Sequence, residues 1–77
     1  MNPYFLKALE MIDTYSNIFT ICDLYYCNGS VIVETLYGDV TSFYYWDGNN
    51  YCKAKMIPSN SVMLPRDFKS QCSILNS

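Results

Sequence analysis

The amino-acid sequence predicts an α+β fold: an N-terminal helix packed on a four-stranded antiparallel β-meander, with a short C-terminal strand or helical turn. Three observations carry this. Apolar residues recur at three- and four-residue steps from Phe5 to Tyr15, which is helix period. β-branched and aromatic residues dominate from Phe19 to Ile57. Gly29, Gly38 and Gly48 divide that second region at near-even intervals, each in turn chemistry: Asn28-Gly29, Gly38-Asp39 and Asp47-Gly48-Asn49-Asn50.

In the helix, Asn2 is a good N-cap, and Pro3 suits the first helical position, where its missing N–H costs nothing. Phe5, Ala8, Leu9, Ile12 and Tyr15 form the apolar stripe, widened by Leu6 and Met11, while Lys7, Glu10 and Asp13 fall mostly on the other side. The helix is expected to end near Ser16–Asn17.

The strands are expected over 19–27, 30–37, 40–46 and 51–57. Asn28-Gly29 is the strongest hairpin signal, and a two-residue turn there sets Cys27 opposite Ser30, Leu24 opposite Val33 and Asp23 opposite Glu34. The apolar side of this hairpin is then Cys22, Leu24, Tyr26, Val31 and Val33. In the last hairpin Trp46 faces Tyr51, Tyr44 faces Lys53 and Phe43 faces Ala54, with Phe43, Tyr45, Cys52, Ala54 and Met56 as the apolar side. A two-residue turn at Gly38-Asp39 would put these two apolar sets on opposite faces. A three-residue loop, Tyr37-Gly38-Asp39, aligns them with Val33 opposite Phe43, and burial under one helix argues for that loop or for a bulge there. Beyond Ile57, Pro58-Ser59-Asn60-Ser61 breaks the sheet, Val62–Leu64 has the makings of a short strand, and Pro65–Lys69 reads as a helical turn.

Seventy-seven residues bound this to a single small domain, 1–77; such a chain buries roughly 60% of its unfolded surface. Aromatic residues supply 17% of it, more rings than a core of this size can enclose, so some are expected at the surface, where Tyr and Trp serve binding well. No long apolar run suggests a membrane span, and no basic-then-apolar leader is visible, so a cytoplasmic location is expected. Asn28-Gly29-Ser30 matches a glycosylation acceptor but reads here as a turn.

Net charge is −2 and unevenly placed. Residues 1–51 carry six acidic groups and Lys7; residues 52–77 carry Lys53, Lys55, Arg66 and Lys69 against Asp67. The acidic majority disfavours nucleic acid wrapped around the whole domain.

The chain has no His, which removes the usual general base and the Ser-His and Cys-His pairs. Cys22, Cys27, Cys52 and Cys72 lack the close C-x-x-C spacing of a structural zinc site and are expected as reduced thiols. Cys52 beside Lys53 is the one thiol with a cationic neighbour in sequence, but strand neighbours point to opposite faces. With no Gly-rich phosphate loop either, the expectation is a protein that is not an enzyme and holds no metal and no cofactor.

The expected working surface is the sheet face turned away from the helix, bearing Tyr25, Ile32, Tyr44, Trp46, Tyr51, Lys53 and Lys55, with Asp23 and Glu34 nearby. Two carboxylates directly opposite destabilise a sheet unless a cation or a basic partner neutralises them; a slipped register would part them. Rings with interleaved Lys on a sheet suit stacked nucleic-acid bases, a protein hot spot, or a homodimer interface. Two lysines amid negative charge rank protein contact above nucleic acid.

The stretch from Gly38 to Ile57 resembles the first hairpin of Tudor-type SH3-like barrels, through Gly38, Asp39, Trp46, Asp47, Gly48, Tyr51, Ala54 and Met56. The resemblance implies an aromatic cage for methylated Lys or Arg held by cation–π contacts. It covers about a quarter of the chain, and the 20 residues that follow leave no room for the remaining barrel strands, so the α+β prediction stands.

The functional expectation is a small non-enzymatic protein that binds and blocks a host protein, encoded by a phage or mobile element and acting against host defence or for host takeover. Asn, Tyr, Ile, Lys and Phe supply 29 of the 77 residues, as A/T-rich coding gives. The alternatives are a single-stranded nucleic-acid or SH3/Tudor-like peptide-binding module and a self-assembling structural protein.

Overall fold

A computed structural model describes residues 3–65 of the chain. Helix α1 spans Pro3–Tyr15, followed by strands β1 (Thr20–Cys27), β2 (Ser30–Tyr37), β3 (Val40–Trp46), β4 (Tyr51–Ala54) and β5 (Val62–Met63). The strands form one sheet in the order β4-β3-β2-β1-β5, antiparallel throughout. This is the α+β architecture expected, with Pro3 at the first helical position and Val62–Met63 as the short extra strand. The sheet is an open one, not the barrel that the Tudor-like hairpin implies. The Asn2 cap and most of the expected turn at Pro65–Lys69 lie outside the described residues. None of the described helices is long and apolar enough to cross a membrane.

The helix lies across the middle of the sheet. Ala8 and Met11 meet Val31 and Val33 in the buried core, with Phe5, Leu9, Ile12, Ile21, Leu24, Tyr26, Tyr44 and Leu64 packed around them. Apolar burial of this kind contributes about 25 cal/mol per Å² removed from water. The helix ends where Phe19 N–H turns back to the Tyr15 carbonyl at 2.9 Å and β-branched residues take over.

The first turn forms as expected: Asn28 and Gly29 both have positive φ, 50° and 87°, the pattern of a type I′ turn, and Cys27 pairs with Ser30. The second turn corrects the three-residue loop. Tyr37 pairs with Val40 across Gly38-Asp39 alone, with Gly38 at φ 61°, the first central position of a type II′ turn. Val33 therefore faces Tyr44, and Phe43 faces Glu34. The irregularity that burial demanded lies in β1 instead: Ile21 pairs with Thr35 and Leu24 with Val33, so Cys22 and Asp23 together span the single residue Glu34. That bulge turns Ile21 toward the helix beside Leu24 and Tyr26 and leaves Cys22 exposed, contrary to its expected place on the apolar side. It also replaces the simple Asp23–Glu34 pair.

The sidedness of the last hairpin is exchanged as a consequence. Its internal register is as expected, Trp46 with Tyr51, Tyr44 with Lys53, Phe43 with Ala54. But Tyr44, Trp46, Tyr51 and Lys53 now share the helix side with Val33, while Phe43, Tyr45, Cys52 and Ala54 share the open side with Ile32 and Glu34. The expectation that Phe43 and Tyr45 must face the helix failed because the open side has a partial cover of its own. From β4 at one edge the chain must reach β5 at the other. Met56 and Pro58 on the way border the same groove as Ile32, Phe43 and Tyr45, and the Cys27 thiol meets Asn60 Oδ1 at 3.4 Å. This crossing also explains why β4 stops at Ala54, short of Ile57.

Candidate contact surface

On the helix side the aromatic residues are engaged with one another and with α1. Trp46 and Tyr51 meet edge to face with centroids 4.9 Å apart. Lys7 Nζ sits 4.3 Å above the Trp46 ring, and Tyr51 Oη donates to the Lys7 carbonyl at 3.0 Å. Tyr44 stacks on Phe19 at 5.9 Å, which also meets Tyr37 at 5.8 Å. A cleft of about 210 Å³ remains between Met11, Tyr15, Phe19, Tyr44 and Tyr51. Tyr44, Trp46 and Tyr51 thus do not share a face with Tyr25, Ile32 and Glu34; the cation over the Trp46 ring is the chain's own Lys7. Lys53 and Lys55 are exposed, Lys53 on the helix side.

The open side presents a different surface. A groove of about 370 Å³ runs between the sheet and the crossing segment, floored by Ile32, Phe43, Tyr45 and Ala54 and walled by Met56 and Pro58. Ile32 is buried while Met56 is 80% exposed, so the groove has a closed floor and an open lip. Beside it, Tyr25 Oη donates to Glu34 Oε1 at 2.9 Å, and the Tyr25 and Phe43 rings meet edge to face at 6.3 Å. The hydrogen bond to Glu34, then burial and the negative charge of Glu34 and Asp23, push the Tyr25 phenol up to about 12. Of the residues expected to make contact, Tyr25, Ile32 and Glu34 therefore belong together here, with Asp23 in the adjoining bulge. Phe43, Tyr45 and Met56, expected in the core under the helix, line this groove instead. The signal that places them here is Gly38-Asp39 taken as a two-residue turn.

Two of the described thiols, Cys22 and Cys52, are pushed away from the reactive thiolate form. Local burial, then Glu34 and Asp23, push Cys22 up. Burial and a hydrogen bond to Asp47 push Cys52 up, with Cys52 Sγ 3.3 Å from Asp47 Oδ2. Cys52 and Lys53 pair with Tyr45 and Tyr44 respectively and so point to opposite faces. Among the described residues no three Cys, Asp or Glu side chains group closely enough to hold a metal ion. Comparison with protein-family models, with curated proteins and with solved structures finds no match.

Proposed function

We propose that the chain is a small non-enzymatic binding protein that blocks or modulates another protein through the open side of its sheet. The observation that carries this reading is the groove over Ile32, Phe43 and Tyr45: apolar, partly walled, and facing away from the helix that builds the core. Concave apolar sites with rigid rings are where binding energy concentrates. A single-stranded nucleic-acid binder is less well supported, because the rings nearest the lysines have their faces against Lys7 and Phe19 and the open side carries carboxylates. A small domain rich in Asn, Tyr, Ile, Lys and Phe, the usage that A/T-rich coding gives, suits a phage or mobile-element inhibitor of a host protein, working in the host cytoplasm.

The test is capture of proteins from a lysate of the natural host by the wild-type chain, by Tyr45→Ser/Met56→Asp in the groove, and by Lys53→Glu on the helix side. A specific partner lost with the groove variant and kept with Lys53→Glu supports the reading; equal capture by the groove variant sinks it.

A further inference from the structure

We propose that the partner segment which docks on the open side brings a basic side chain, Arg in preference to Lys, to the Glu34 carboxylate while an apolar neighbour enters the groove. This rests on the reading above and specifies the chemistry of the partner.

Glu34 lies on β2, the middle strand of the sheet, and is half-buried. Among the described residues its one hydrogen-bond donor is Tyr25 Oη, although a carboxylate offers about four acceptor positions. The one ion pair among the described residues is Lys7 with Glu10 on the helix. Lys7 is committed to Trp46 and Lys53 lies on the helix side, paired with Tyr44. Asp23, in the bulge that spans Glu34, adds a second negative charge.

Any partner that covers Phe43 and Ile32 also covers Glu34, because Glu34 pairs directly with Phe43 and follows Ile32 by two residues. A purely apolar partner would strip water from the carboxylate without replacing it, a large penalty. A second copy stacked on the same face would bring Glu34 and Asp23 of both copies together. Nucleic acid would bring phosphates. A protein segment with a cation removes the penalty. Arg fits best, since its planar fork takes the remaining carboxylate positions and its face can lie on the rings of Tyr25 and Phe43. Side chains two apart on one strand face are about 7 Å apart, which sets the spacing between the cation and the apolar anchor: i and i+2 in an extended segment, or i and i+4 in a helix.

The experiment selects from a displayed library of random 12-residue peptides on the immobilised full chain and measures the winners by fluorescence anisotropy. Expected are peptides with Arg or Lys at one of those spacings from a large apolar residue. Their affinity should fall tenfold or more with Glu34→Gln, which preserves the Tyr25 contact, and should also fall with Tyr45→Ser/Met56→Asp. Winners that need the groove but are indifferent to Glu34→Gln overturn this inference and leave the proposed function standing. Winners that bind the groove variant as well as wild type, or no enrichment above that variant, overturn both. A concentration-dependent dimer in sedimentation that Met56→Asp abolishes assigns the face to a second copy and overturns the inference. So does peptide binding that appears only after Arg66 and Lys69 are replaced by serine.

Discussion

Lys7 on the helix holds its ammonium 4.3 Å above the Trp46 ring, while its backbone carbonyl accepts the Tyr51 hydroxyl at 3.0 Å. One helical residue thereby binds both strands of the last hairpin, the first through its charge and the second through its main chain. A cation over an indole at a partly exposed site is worth about 0.5–1 kcal/mol. Lys7→Met, which keeps the aliphatic stem against the ring, should lower the unfolding free energy measured in denaturant by that much, and Lys7→Ala by more. Equal stability of wild type and Lys7→Met would show that the ammonium contributes nothing.

The Tyr25–Glu34 hydrogen bond should be visible in alkaline titration. The Tyr25 phenol ionises at about 12 against an ordinary value of 10.0, so the folded chain holds this proton more tightly than the unfolded one. Its contribution to stability is fully present below pH 10 and is lost as pH rises toward 12. Absorbance at the phenolate band should show a late-titrating tyrosine that Tyr25→Phe deletes and Glu34→Gln brings down toward its ordinary range.

Gly38 occupies a turn position at φ 61°, with open space where a Cβ would be built. Substitution there meets no clash, so its effect reports backbone strain alone. Gly38→Ala should destabilise the chain by about 1–2 kcal/mol in urea unfolding. A larger loss would mean that the two strands are forced out of register, which amide exchange across β2 and β3 would reveal.

Asp47 closes the last hairpin by accepting the N–H groups of Asn49 and Asn50, both at 2.7 Å. These bonds, in the order Asn50 then Asn49, with Cys52 after them, hold its carboxyl below the ordinary carboxylate range. A depressed folded-state value gives stability that is present above the unfolded value, near 3.8, and fades as pH falls through the folded one. Asp47→Ala should therefore lower the melting temperature at pH 7 and flatten its dependence on acid. Parallel wild-type and variant profiles below pH 4 would contradict the assignment.

Element boundaries were legible wherever period and turn chemistry are local, and the end of β4 at Ala54, set by the crossing to β5, was not. Asn28-Gly29 declared its turn, and the helical stripe from Phe5 to Ile12 declared its face. Sidedness was legible only as far as the reason for burial was right. Phe43, Tyr45 and Met56 are apolar whichever cover they find, and the residues that cross from β4 to β5 supply a cover that no periodicity announces. The compensating bulge at Cys22–Asp23 has no glycine to mark it; it exists because Ile21 and Leu24 must both reach the helix, a tertiary demand. Tyr44, Trp46 and Tyr51 lie on the helix side and not on the expected open side, because amphipathic rings serve a thin core as well as a surface. Tyr51, for one, keeps its ring against Trp46 and its hydroxyl on the Lys7 carbonyl.

The same bulge has a consequence for the chain's behaviour in a crowd. A sheet margin recruits foreign strands when it offers a long, flat, regular ladder. Here β1 is interrupted at Cys22–Asp23 and paired by β5 only above the break, at Tyr25 and Tyr26. The opposite margin, β4, is four residues long and carries Lys53. Neither border presents the unbroken six or seven residues that seed cross-β stacking. A tyrosine-rich chain made in quantity is thereby guarded against polymerising edge to edge.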